Sequence, residues 1–133
     1  MQEQHYGFGC TLADPIDEAV RKTTEALKSE GFGVLTTIDV QATVKAKLGV
    51  DRKPYIILGA CNPHLAHRAL GAEPELGLLL PCNVIVYEDE TGASRVSIID
   101  PKQMMGMVQN EELAAVAAEA EERLRRVADK LRG

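Results

Sequence analysis

The chain contains no tryptophan, two phenylalanines and three tyrosines, so aromatics make up only 4% of its 133 residues. Side chains suited to wedging between nucleic-acid bases are therefore scarce. The net charge of −5 further opposes a phosphate backbone or an anionic membrane surface as partner. Long apolar runs are missing too. The longest apolar-looking stretches, Tyr55–Cys61 and Leu76–Tyr87, fall far short of the ~20 residues a membrane span requires. The opening residues, Met1 to Tyr6, lack the basic-then-apolar order of a secretory signal. Three cysteines, an odd number, do not make a secreted disulfide framework. A phosphate-cradling glycine loop is also lacking. Gly7-Phe8-Gly9 has Leu12 where the third glycine of a dinucleotide motif belongs, and Gly31-Phe32-Gly33 follows a helix instead of a strand. These absences leave a cytoplasmic protein with no nucleic-acid and no membrane partner as the expectation.

What is present is ordinary for a soluble globular domain, with 45% apolar and 26% charged residues. No linker, repeat or low-complexity run divides the chain, so residues 1–133 read as one domain. Tyr6–Leu12 is expected as a first strand. Asp14 as N-cap and Pro15 at the first helical position then open a helix whose apolar residues recur at helical spacing and which stops at Gly31. Phe32–Ile38 reads as a β-branched strand, and Asp39 begins a short helix carrying Val40, Val44 and Leu48 on one face, closed by Gly49. Pro54–Ala60 is nearly continuously apolar, which predicts a central strand with both faces buried. Asn62 caps and Pro63 opens a helix to about Leu70, and Pro74 and Gly77 make a turn. Asn83–Glu88 and Arg95–Ile99 form a hairpin through Asp89-Glu90-Thr91-Gly92. From about Glu111 to Leu131, apolar residues step by three and four, the signature of a long helix lying on a sheet.

Strands followed by a terminal helix argue for an α+β two-layer sandwich, with helices on one face of the sheet and the other face open. Strict βα alternation fails after Pro81, which counts against a doubly wound nucleotide-binding fold. An exposed sheet face or edge has to be covered, and pairing with a second copy is the commonest route.

The sharpest chemical signal is "ILGACNPHLAHRAL", from Ile57 to Leu70. Cys61 ends a strand just ahead of a helix, whose free N–H groups and dipole favour a thiolate. His64 and His67 follow at three-residue steps, so all three could share a face. Cys-x-x-His-x-x-His lacks the paired spacing of a structural zinc site. The competing reading is a buried cysteine and two solvated histidines. A second thiol, Cys82 in "LLLPCNVIV", also stands at an element boundary and is also followed by asparagine, Asn83. Two thiols at neighbouring strand ends could oxidise, bind a soft ion or touch a ligand. Cys10 reads as core. Met104, Met105 and Met107 could offer thioethers to copper(I), although such clusters more often serve as adaptable packing. Asp100 before Pro101 fits turn and cap chemistry as well as a catalytic carboxylate. The acids and arginines of the last helix, Glu119 to Arg126, read as a solvated face laced with ion pairs. No Ser-His-Asp order and no zinc-hydrolase helix is present.

"LGACNPHLAHRAL", "LLPCNVIVYE" and "IIDPKQMM", in this order after an amphipathic N-terminal helix, resemble the family called domain of unknown function 302, over about Tyr6 to Leu131. The resemblance implies a sandwich similar to the β-α-β4-α folds of the TATA-binding-protein type, mostly antiparallel, with small inserted helices, and a homodimer. The fold likeness carries no DNA-binding inference. No established activity comes with the family. The resemblance points to Cys61, Asn62, Pro63, Cys82 and Asn83 as the neighbourhood of a site, without roles.

Two functional classes follow. One is a dimeric binding module holding a small ligand or a soft metal near Cys61 and Cys82, with Asn62, Pro63, His64 and Asn83 around it and Cys61, His64 and Cys82 as the metal donors. The other is a thiol enzyme or redox protein with Cys61 as nucleophile, His64 as base and Cys82 as resolving thiol. A purely structural or interaction protein is the third possibility. No cofactor is indicated.

Overall fold

Local chemistry accounts for most element boundaries. The structure, a computed structural model, describes residues 3–4 and 6–133. Met1, Gln2 and His5, part of the stretch read above for a secretory signal, lie outside the described residues. The order is β1 (Glu3–Gln4), β2 (Gly7–Leu12), α1 (Ile16–Ser29), β3 (Gly33–Asp39), α2 (Val40–Leu48), β4 (Tyr55–Cys61), α3 (Pro63–Ala72), a 3-10 turn (Pro74–Leu79), β5 (Cys82–Glu88), β6 (Ser94–Ile99), α4 (Pro101–Met105) and α5 (Glu111–Arg132). Asp39 caps α2 by accepting from the N–H of Ala42 at 2.9 Å, and Asp100 caps α4 by accepting from Lys102 N–H at 3.0 Å. Asn110 caps α5, accepting from Glu112 and Leu113. Gly31 follows α1 at φ +83°, a conformation that favours glycine. In the hairpin, one oxygen of Asp89 accepts from the N–H groups of Thr91 and Ala93.

The strands form one sheet in the order β1-β2-β6-β5-β4-β3, and every neighbouring pair is antiparallel. Helices cover one face, the α+β sandwich expected from the order of elements. Phe8 and Cys10 of β2, Leu58 and Ala60 of β4, Val84 and Val86 of β5, and Val96 and Ile98 of β6 alternate into the core. They meet Ala19, Ala26 and Leu27 of α1 and the stripe Leu113, Val116, Ala120, Leu124 and Val127 of α5. The charged face of α5 does more than meet solvent. Arg126 and Lys130 reach Glu30 at the end of α1, at 2.9 and 3.0 Å, and Arg68 of α3 reaches Glu119 at 3.1 Å. Burial pushes the Glu30 carboxyl upward, but the hydrogen bonds from Lys130 and Arg126 outweigh it and hold it below the usual range.

Two expectations change. Asp14 does not cap α1. Pro15 occupies the cap position with extended backbone, and its carbonyl accepts from Ala19 N–H at 2.9 Å. Asp14 pairs instead with Lys22 at 2.8 Å, and its carbonyl receives the Ser94 hydroxyl. Strand β4 is interior but not buried on both faces, because Tyr55 and Ile57 on the uncovered side stay partly exposed. Among the described residues no helix is long and apolar enough to cross a membrane.

Candidate functional site

The candidate residues divide between two places. Cys61 ends β4 and Cys82 begins β5, next to the register pair Ala60–Cys82. Cys61 and Cys82 are both among the residues that border a cavity of about 30 Å³, together with Asn62, Met105, Pro81 and apolar residues of α3 and α5. Asn62 is buried because its Oδ1 accepts from Leu65 N–H at 3.2 Å, and Pro63 follows at the first helical position. Pro63, His64 and His67 lie exposed on α3, and none of them lines the cavity. Among the described residues, no three His, Cys, Asp or Glu side chains converge as metal ligands. A space this size admits a water or one ion, not an organic molecule.

All three cysteines are free. The low-pKa nucleophile expected at Cys61 is not found, since burial pushes its thiol above the ordinary value. The N–H of Leu65 is taken by the Asn62 cap, and burial is the cause of the rise. Burial, and then the neighbouring Cys61, push Cys82 up to about 11. Burial also raises Cys10, against the pull of Arg132 and Arg95. Accessibility, then, sets reactivity. At neutral pH, mass-mapped alkylation of the folded protein should label partly exposed Cys61 before buried Cys10 and Cys82, yet more slowly than a free cysteine. Faster labelling of Cys82 than of Cys61 would contradict this picture.

Asn83 points elsewhere. The helix-free face of the sheet carries a cleft of about 470 Å³ lined by Tyr6, Tyr55, Asn83, Ile85, Tyr87, Ser97 and Ile99, with Gly7 and Ile98. Tyr55 and Tyr87 are register partners on β4 and β5, and their rings stack 5.3 Å apart at 13°. The Arg52 guanidinium lies 5.0 Å from the Tyr55 ring centre. Arg95 donates to the Ser97 hydroxyl at 3.2 Å and so orients it at the cleft floor. Tyr55, Tyr87, Ile85 and Ser97 were missed as site residues. The available signal was the placing of the scarce tyrosines, with Ile57 and Ile85, at alternate positions of neighbouring strands. Met105 is buried and Met107 exposed, so the methionine cluster does not act as a unit.

A family model described as domain of unknown function DUF302 matches residues 8–131. The chain is also similar to the crystal structure of an uncharacterized conserved DUF302 protein from Bacillus stearothermophilus. The TM-score is 0.87 at 31% sequence identity, covering 96% of this chain and 98% of that one. No curated protein matches the chain.

Proposed function

The chain belongs to the DUF302 family, and from that shared fold without an assigned activity we propose a homodimeric binding protein of the cytoplasm, whose ligand is a small organic molecule with a planar apolar part. The cleft on the uncovered sheet face carries this reading. Its volume of about 470 Å³ lies within the roughly 300–1,000 Å³ typical of small-molecule sites. Stacked Tyr55 and Tyr87 with Ile85 and Ile99 offer the apolar wall, while Asn83 and Ser97 supply the few polar groups that orient a ligand. Three free thiols fit a reducing compartment.

Dimerisation has separate support. Strand β3 is a sheet edge, and α2 beside it buries no side chain. Leu35 and Leu48 are 67% and 72% exposed, and Ile38 and Val50 about half. A nine-residue helix is shorter than the ~12–15 residues at which isolated helices become even marginal, so its stability has to come from packing. A second copy over this corner supplies that packing and leaves the cleft open. The thiol-enzyme alternative draws less support, with Cys61 held above its ordinary pKa and His64 outside the cavity.

Native mass spectrometry of protein isolated from its own source tests both parts. The expected mass is twice the 14.4 kDa chain plus one small organic molecule per chain. Ile85→Arg should remove the extra mass without dissociating the dimer, and Leu35→Asp with Leu48→Asp should give monomers. A bare monomer in the wild type, or a ligand that survives Ile85→Arg, would sink the proposal.

A further inference from the structure

Register sorts the side chains of the helix-free sheet face into rows. Tyr55, Tyr87 and Arg95 fall in one cross-strand row on β4, β5 and β6. The Arg52 guanidinium sits 5.0 Å from the Tyr55 ring centre, so a cation stands at each end of the stacked ring pair. All three tyrosines of the chain line the cleft beside this row, and among the described residues no carboxylate does. Resting on the cleft as a small-molecule site, we propose that it selects an anion and that its ligand is a planar aromatic carboxylate.

Charge is the first reason. The whole chain carries −5, yet the row beside the cleft is flanked by Arg52 and Arg95. A carboxylate gains from both, whereas a cationic ligand is opposed by both. The Tyr55 ring faces that such a cation would seek are already taken by Arg52 and Tyr87. Hydrogen bonding is the second reason. Arg95 Nε donates to Ser97 Oγ at 3.2 Å, which occupies an acceptor site of the hydroxyl and leaves its O–H to donate. The exposed Asn83 amide supplies a second donor. Burial, and then Tyr87, push the Tyr55 phenol above its ordinary value against the pull of Arg52. It stays neutral and does not repel an anion at neutral pH.

Shape is the third reason. Ile85 is the register partner of Ser97, so an aromatic ring laid on Ile85 and Ile99 brings its carboxylate to the Ser97 hydroxyl. A phosphate fits less well, because no helix begins on this face and the two guanidiniums are separated by the width of the ring pair. Stability alone accounts for Arg52 on Tyr55, since such contacts are common at surfaces. It gives no reason for a guanidinium only 9% exposed at Arg95, where an apolar residue would pack at no greater cost. Held against Ser97, that charge serves an anion.

The test compares 2-naphthoate with 2-naphthamide, planar molecules of nearly equal shape that differ in charge at neutral pH, by titration calorimetry. Naphthoate is expected to bind about 10-fold more tightly, the gain of hydrogen bonds to a charged acceptor over a neutral one. High salt should narrow that gap. Ser97→Ala should weaken naphthoate by about 10-fold. Arg52→Gln should weaken it by up to about 5-fold and leave naphthamide unchanged. Ile85→Glu, which sets a carboxylate in the cleft, should abolish naphthoate binding. Should Ser97→Ala not fold, Arg52→Gln decides, since Arg52 is exposed. Naphthamide binding as tightly as naphthoate, with both lost in Ile85→Glu, would overturn the charge selection and keep the cleft. Naphthoate binding unchanged in both Ser97→Ala and Arg52→Gln would do the same. Binding of neither probe, or naphthoate binding that survives Ile85→Glu, would overturn the cleft as a site and the anion with it.

Discussion

Gly9→Ala is expected to destabilise the protein by at least the ~3 kcal/mol found at the upper end for overpacked interiors. A Cβ at Gly9 would sit 1.8 Å from the carbonyl oxygen of Val96, with the Val96 carbonyl carbon and Ser97 Cα at 2.8 and 2.9 Å. All three obstacles are backbone, so no side chain can turn aside to make room. Relief requires β2 to move off β6 along the ladder Gly7–Ile99 to Leu12–Ser94. That movement withdraws Phe8 and Cys10, which flank Gly9 and reach into the core. Gly33→Ala is the control, since nothing lies within 4 Å of its added methyl. Urea unfolding of both variants measures the contrast. A Gly9→Ala protein within about 1 kcal/mol of wild type, a normal cost for an average substitution, would show that the two strands are not packed this closely.

Leu124→Ala is the second large effect, expected at about 2–5 kcal/mol. Leu124 is fully buried near the middle of the core stripe of α5. Alanine there forfeits the transfer energy of the lost methyl groups and leaves a cavity. The sheet below and the neighbouring helix can close it only in part, because both are held by their own ladders and caps. Leu78→Ala, at a residue 83% exposed in the 3-10 turn, should stay within about 0.5 kcal/mol of wild type. Thermal melts of the pair give the measurement. Equal melting temperatures would mean that α5 does not dock through this stripe.

The proposed homodimer and the proposed ligand cleft have consequences that differ in kind. Loss of the proposed β3–α2 contact should change mass, and loss of the cleft should change small-molecule binding. Each variant named above reports on one of them.

Asn62, Pro63, Asp39, Asp100 and the stripe from Leu113 to Leu131 were legible in the sequence because capping and helical periodicity act within one turn of the chain. The hairpin through Asp89–Gly92 was legible for the same reason. The start of α1 was misread by one residue, since Lys22 and Ser94 compete for Asp14 and only the fold brings Ser94 there. The nearly continuous apolar runs of β4 and β5 predicted strands but not which face would stay bare. That depends on where α1 and α5 cross the sheet, and antiparallel strands tolerate solvent on one side. The stacking of Tyr55 on Tyr87 and the packing of Met105 near the ends of β4 and β5 were decided by tertiary structure alone. Each depends on register or packing between segments distant in the chain, where local propensity exerts no force.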